Sequence, residues 1–228
     1  MCLTTCYVYL IQFLSCLIVI TPETLSASSE QDIIDLVELN KFNDDPTSYC
    51  AILINDYNEV ELLMDKDPGS GYQRSNESTL LKSEISLNTD FVFAIRSKNI
   101  FDRIKELLGK KRPKTGNRLF DKRVVISSSD DEKLLQIIDN SDLLKLLSSL
   151  SDFSFAIKIN EAITNKHLTL EFSVNNTESD KAEFQNIYHA FCVVLNNIQN
   201  YNAFMKMSVW ATTATVLMKW SALPTLLQ

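Results

Sequence analysis

The amino-acid sequence predicts an α+β fold, in which an antiparallel or mixed sheet carries helices packed on one face. Short segments with apolar residues at every second position come in adjacent pairs along the chain, as the strands of a sheet do. Segments with apolar residues at spacings of three and four separate these pairs, and that spacing is typical of helices packed on a core. Paired strands interrupted by helices indicate the α+β class.

The composition is that of a globular protein with one domain, or one domain and an appendage. The chain has 228 residues, of which 45 % are hydrophobic and 22 % charged, so it can bury a core. Four glycines and five prolines are too few for a collagen-like or linker-dominated protein, and two histidines exclude a His-rich metal site. The net charge of −7 argues against general coating of nucleic acid, unless positive charge is concentrated locally.

The first 22 residues contain no charged side chain, and residues 7–20 form an apolar run. About twenty residues of helix reach ~30 Å, roughly the hydrocarbon thickness of a bilayer. Residues 1–27 are therefore predicted to be a signal peptide, cut after the imperfect site Leu25-Ser26-Ala27, or a retained anchor with an N-terminal apolar helix. The alternative is a buried helix or strand. A membrane-associated or secreted protein that meets the membrane through residues 7–20 is expected, with a cytoplasmic location as the alternative.

The segment at residues 28–46 is predicted to be a linker and a short helix, with the linker beginning at residue 26. Small polar side chains indicate the linker, and the Asn-Asp-Asp-Pro sequence at its far end stops the helix. An α+β domain is predicted to span residues 47–201. Its first part contains four predicted strands, at residues 49–54, 59–64, 80–87 and 90–96.

The second part of the predicted domain mixes helices and strands. Ser129 and Glu132 have the spacing of a capping box, which indicates the start of a helix. Strands are predicted at residues 119–127, 153–159 and 168–174, and helices at residues 100–108, 129–138, 142–150 and 180–201. The apolar C-terminal tail, residues 202–228, is open to three interpretations: a packed helix, an interfacial helix or an interface segment.

Positive charge is concentrated in one segment of the chain. Residues 96–123 hold eleven basic and three acidic side chains, a net charge of +8, so the remainder carries −15. Such a segment predicts binding of phosphate, anionic lipid headgroups or an acidic protein surface, whereas a solvated loop is the alternative. Nucleic acid is disfavoured, because no aromatic residues are interleaved with the charges. The predicted anion-binding residues are Lys110, Lys111, Arg112, Lys114, Arg118, Lys122 and Arg123.

Cysteine and histidine residues give little indication of chemistry. Cys50 and Cys192 could form one disulfide in an oxidising compartment, or remain buried free thiols in their apolar runs. Neither a cofactor nor a metal site is predicted, since no Cys-x-x-Cys or phosphate-binding glycine pattern is present. Glu161 and His167 could meet across a hairpin turn, but nothing requires it. No catalytic residue is assigned, and an unrecognised hydrolase stays an alternative.

Residues 115–121 read Thr-Gly-Asn-Arg-Leu-Phe-Asp and lead into a predicted strand and an acidic helix start. This arrangement resembles a bacterial family of uncharacterised, membrane-associated proteins whose soluble α+β domain carries a Thr-Gly-x-x-x-Phe-Asp segment. The resemblance implies a soluble domain tethered near a membrane, with no established reaction. Together with the N-terminal segment, it favours a membrane-tethered or exported binding or interaction domain without evident catalysis. A cytosolic anion-binding module that uses residues 96–123 is the alternative.

Overall fold

A computed structural model of the chain gives the architecture. The structure describes residues 22–41, 47–55, 58–67, 76–86, 91–99, 102, 113–160, 167–176 and 181–221, with side chains in the last segment up to Tyr201. The predicted apolar N-terminal segment, the predicted helix at residues 100–108 apart from Asp102, and the side chains of Lys110, Lys111 and Arg112 lie outside the described residues.

A mixed sheet forms the centre of the fold, as the sequence predicts. Its eight described strands are β1 (Glu23–Ala27), β2 (Ser48–Asn55), β3 (Asn58–Asp67), β4 (Asn76–Ile85), β5 (Phe93–Ser97), β6 (Val124–Ser128), β7 (Phe153–Asn160) and β8 (His167–Asn176). Their order in space is β1-β2-β3-β4-β8-β7-β5-β6. The β1–β2 pair is parallel, whereas each other pair of neighbouring strands is antiparallel.

Helices pack against this sheet. The described helices are α1 (Glu30–Asn40), α2 (Arg118–Arg123), α3 (Asp131–Ile138), α4 (Ser141–Ser149) and α5 (Lys181–Ser221). On β8 the alternate residues Leu168, Leu170, Phe172 and Val174 are buried beneath the helices, while the residues between them are partly exposed. The period-two pattern of the sequence therefore predicts correctly which side of the strand meets the core.

Side-chain caps determine where the four shorter helices begin. Ser29, Asn117, Asp130 and Asn140 each accept a hydrogen bond from a backbone N–H in the first turn, so donors without a helical partner are satisfied. The prediction that Ser129 caps α3 is wrong by one position. Asp130 takes this role by accepting from Lys133 N at 3.0 Å, and Ser129 instead donates its hydroxyl to the Val92 carbonyl.

Two further predictions differ from the structure, and one that was left open is partly answered. The predicted linker begins inside β1, because Leu25 is buried and the segment pairs with β2. The strand predicted at residues 119–127 begins only at Val124, because the Asn117 side chain starts α2. The C-terminal tail continues α5 as far as Ser221, since no glycine or proline interrupts residues 181–221. No described helix is both long and apolar enough to span a membrane.

The two cysteines among the described residues, Cys50 and Cys192, are free thiols. Cys50 lies on the open face of the sheet, because its strand neighbours Ala51 and Leu53 point into the core. Cys192 is buried on α5, on the helical side of the sheet. The two thiols therefore lie on opposite sides of the sheet, and no disulfide joins them.

Candidate functional site

Four of the seven predicted anion-binding residues lie around α2. Lys114 precedes the helix, whereas Arg118, Lys122 and Arg123 lie on it, and all four are exposed. The helix stands beside β6, at one edge of the sheet. Four exposed cations of the predicted basic segment therefore lie at this edge of the sheet.

A hydrogen-bonded turn fixes the position of α2. The Asp121 carboxylate accepts from the backbone N–H of Thr115 at 2.9 Å and from its hydroxyl at 2.8 Å. Gly116 between them has φ +83°, a left-handed conformation that favours glycine. Phe120 anchors the inner side of the helix and is fully buried. The Thr-Gly-x-x-x-Phe-Asp segment therefore has a structural role, and Asp121 is engaged in it.

A groove of about 860 Å³ opens between α2, α4 and the start of β7. Volumes of roughly 300–1,000 Å³ are typical of ligand pockets. The residues that line the groove are apolar at its floor and on one wall, and cationic at its rim. They are Leu119, Leu147, Leu150 and Phe153, then Lys98, Lys122 and Arg123, together with Ser97 and Ser151.

Two of the rim cations hold helix ends in place. Arg123 donates to the carbonyl oxygens of Ser148 and Leu150, and so satisfies acceptors at the end of α4. Lys98 donates to the carbonyl oxygens of Asp121 and Lys122 at 3.4 and 3.3 Å, at the end of α2. These two cations therefore stabilise the helix ends that border the groove and also give the groove positive charge.

A third basic residue of the predicted segment also has a structural partner. Arg96 forms a bidentate salt bridge with the buried carboxylate of Asp102, with N···O distances of 2.7 and 2.8 Å. In contrast, neither Arg118 nor Lys122 pairs with a carboxylate of the described part of the chain. The positive charge available to a partner is therefore centred on α2.

Leu119 is a candidate site residue that the sequence analysis missed. Its side chain is 75 % exposed, and it stands next to Arg118 on the surface of α2. Single exposed leucines are common on proteins, but this one lies within a basic surface and also forms a wall of the groove. The Asn117 cap is the signal that could have identified it, because a helix starting there separates Leu119 from the buried Phe120.

Negatively charged side chains are concentrated in the middle of the sheet, away from α2. A second groove, of about 550 Å³, includes Glu59, Glu61, Glu84 and Glu171 around Lys82. These residues belong to β3, β4 and β8, whereas α2 stands beside the edge strand β6. The domain is therefore electrically asymmetric, with a basic edge and an acidic central surface.

The hydrolase alternative is not tested by the structure, and the other reactive side chains among the described residues are paired or buried. His189 lies on α5 and pairs with Glu30, with 2.9 Å between Nδ1 and the carboxylate. Cys192 follows one turn later, but burial raises the pKa of its thiol to about 12, so it stays protonated at neutral pH. Asp121 serves the turn before α2, and the His167 side chain and Glu161 lie outside the described residues.

Searches of family models, of curated proteins and of solved structures each found no match to this chain. The resemblance of residues 115–121 to a membrane-associated bacterial family therefore stays a prediction. The fold and groove define the protein as an α+β domain with an eight-stranded mixed sheet in its described part and a basic groove at one sheet edge.

Proposed function

We propose that this protein is a non-catalytic binding domain that associates with anionic membranes through the α2 surface, defined as Lys114, Arg118, Leu119 and Lys122. The observation that carries the proposal is the exposed Leu119 among basic side chains. Peripheral membrane proteins combine these two elements, because apolar groups enter the lipid boundary while cations meet the headgroups.

The size of the interaction agrees with a weak, reversible contact. Burying a leucine side chain contributes roughly 1.5–3 kcal/mol, and each basic residue near an anionic leaflet contributes about 1 kcal/mol. Leu119 with Lys114, Arg118 and Lys122 therefore supplies about 5 kcal/mol, equivalent to a Kd on the order of 0.2 mM. Stable attachment takes a second signal. The apolar helix predicted within residues 1–27, or the predicted contacts of Lys110, Lys111 and Arg112, would supply it.

The uneven distribution of charge should determine how the domain is oriented on the membrane. An anionic surface attracts the basic edge at α2 and repels the acidic groove, in which Glu59 and Glu84 form no ion pair with the described residues, whereas Glu61 and Glu171 pair with lysines. The domain is therefore expected to approach the membrane with the β6 edge of the sheet first. The alternative of a soluble anion as the partner is tested by adding inorganic phosphate to the vesicle assay, where it should not compete at the same ionic strength.

Charge reversal on α2 should weaken binding to anionic vesicles by at least tenfold. In sedimentation with the full chain, we expect more binding to vesicles of 30 mol % phosphatidylserine in phosphatidylcholine than to pure phosphatidylcholine, and less in higher salt. Arg118→Glu with Lys122→Glu should remove most of this difference. The matched control is Lys145→Glu with Lys181→Glu, which makes the same charge change at exposed sites on α4 and α5. Equal losses in both double variants would refute the proposal.

Truncating Leu119 tests the apolar part of the contact separately. Leu119→Ala should lower vesicle binding about fivefold while leaving the slope of binding against salt unchanged, because it removes apolar contact and no charge. The side chain is largely exposed, so the free energy of unfolding should change by less than about 0.5 kcal/mol. Unchanged vesicle binding would mean that Leu119 does not enter the lipid boundary.

A further inference from the structure

We infer that the groove between α2 and α4 binds a single amphiphile with one acyl chain and an anionic headgroup. The inference rests on the proposed function, because it places one lipid monomer directly behind the α2 surface. The acyl chain would lie along Leu119, Leu147, Leu150 and Phe153. The headgroup would lie at the cationic rim.

The lining favours an amphiphile over a soluble anion. The four apolar residues come from α2, from the end of α4 and from the start of β7, and they make up the apolar part of the groove lining. A phosphate ion alone would leave this apolar lining exposed to water, whereas an acyl chain would cover it. Leu119 contributes most, because much of its side chain is exposed before a ligand binds.

The rim offers donors for the headgroup. Lys122 makes no ion pair with the described part of the chain. Lys98, on the segment after β5, adds a second positive charge beside it, since its ammonium group donates to the Lys122 carbonyl oxygen at 3.3 Å. Ser97 accepts a hydrogen bond from Phe153 N at 3.0 Å, which leaves its own hydroxyl proton for another acceptor. Phosphate and carboxylate headgroups both match this set of donors.

Ser151 provides a way to block the groove without altering the α2 surface. It is exposed and lines the groove, so Ser151→Trp should fill the space where the acyl chain would lie. Ser127 is also exposed but lies on β6 away from the groove lining, so Ser127→Trp is the matched control. Neither substitution removes a charge.

Calorimetric titration with dodecyl phosphate below its micellar concentration tests the inference on the full chain. We expect saturable binding with one ligand per chain, at least tenfold tighter than binding of monolaurin, an uncharged amphiphile that also has a single chain of twelve carbons, and no saturable binding of inorganic phosphate. Dodecanoate, titrated in parallel, decides whether a carboxylate headgroup is accepted as well as a phosphate. Ser151→Trp should weaken dodecyl phosphate binding at least tenfold, and Ser127→Trp should not.

The outcomes separate this inference from the proposed function. Vesicle binding that depends on Arg118 and Lys122, without binding of dodecyl phosphate, would overturn the inference and leave the function standing. Equal binding of dodecyl phosphate by the Ser151→Trp variant and the wild type would also overturn it. Conversely, vesicle binding that charge reversal on α2 leaves unchanged would refute only the membrane proposal. In that case, dodecyl phosphate binding that Ser151→Trp abolishes would still support a ligand site in the groove.

Discussion

Phe172→Ala should lower the free energy of unfolding by about 3–5 kcal/mol, the usual cost of removing a large aromatic side chain from a core. Phe172 is fully buried on β8, between β4 and β7 near the middle of the sheet. Its ring centroid lies 4.4 Å from that of Phe155 and 6.2 Å from that of Phe153. Alanine would remove both ring contacts and leave a cavity beneath α5, where Phe191 stacks on Phe155.

Urea unfolding followed by circular dichroism measures this loss. Phe172→Leu should cost less than Phe172→Ala, because it keeps much of the buried volume. Leu39→Ala is the surface control: Leu39 is 70 % exposed on α1, and its truncation should change the free energy of unfolding by less than about 0.5 kcal/mol. A loss below about 1 kcal/mol in Phe172→Ala would contradict the packing described for the sheet centre.

The aromatic cluster also explains why most strands could be predicted from sequence. Phe153, Phe155 and Phe172 alternate with polar or small residues, and this period of two matches a strand with one buried face. In contrast, Leu25 is the one buried residue among the five of β1, so the sequence of this strand carries almost no periodic signal. The strand forms because its backbone pairs with β2, a tertiary interaction that local sequence does not encode.

The candidate site was predictable in its charge but not in its shape. Lys122 and Arg123 stand out in the sequence as part of a basic segment. The apolar lining of the groove could not be predicted, because Leu147 and Phe153 belong to different elements. In the sequence, both residues look like any other core position. Equally, the sequence could not separate Arg123, which binds carbonyl oxygens at the end of α4, from Lys122, whose charge is available to a partner.

Alkaline pH should destabilise the domain through two buried groups on α5. Burial raises the pKa of the Cys192 thiol from near 9 to about 12, with a smaller contribution from the Glu30 carboxylate. Burial likewise raises the pKa of Tyr188, whose hydroxyl is fully buried and faces Cys192 and Asn55. Both groups favour their neutral forms in the folded state.

The sign of the effect follows from proton linkage. A raised folded-state pKa contributes full stability below the unfolded-state pKa, and this contribution is lost as the pH rises towards the folded-state pKa. Each pKa unit corresponds to about 1.4 kcal/mol, so between pH 8 and pH 11 the Cys192 thiol alone should reduce the free energy of unfolding by about 2–3 kcal/mol. Tyr188 should add to this loss above its ordinary pKa.

Urea unfolding at pH 8 and pH 11 isolates this effect. The measurement compares the wild type with a double variant that carries Cys192→Ala and Tyr188→Phe. The double variant should lose much less stability over the same interval, because it has neither group to ionise on unfolding. Some loss should remain, since the pKa of Tyr49 is also raised, by burial and by the nearby Glu23 carboxylate. Tyr188→Phe alone should be near neutral at pH 8, because the hydroxyl it removes has no hydrogen-bond partner of normal geometry among the described residues. An identical loss in the wild type and the double variant would show that neither group is held neutral by burial, and would contradict the placement of α5 against Asn55 and Glu30.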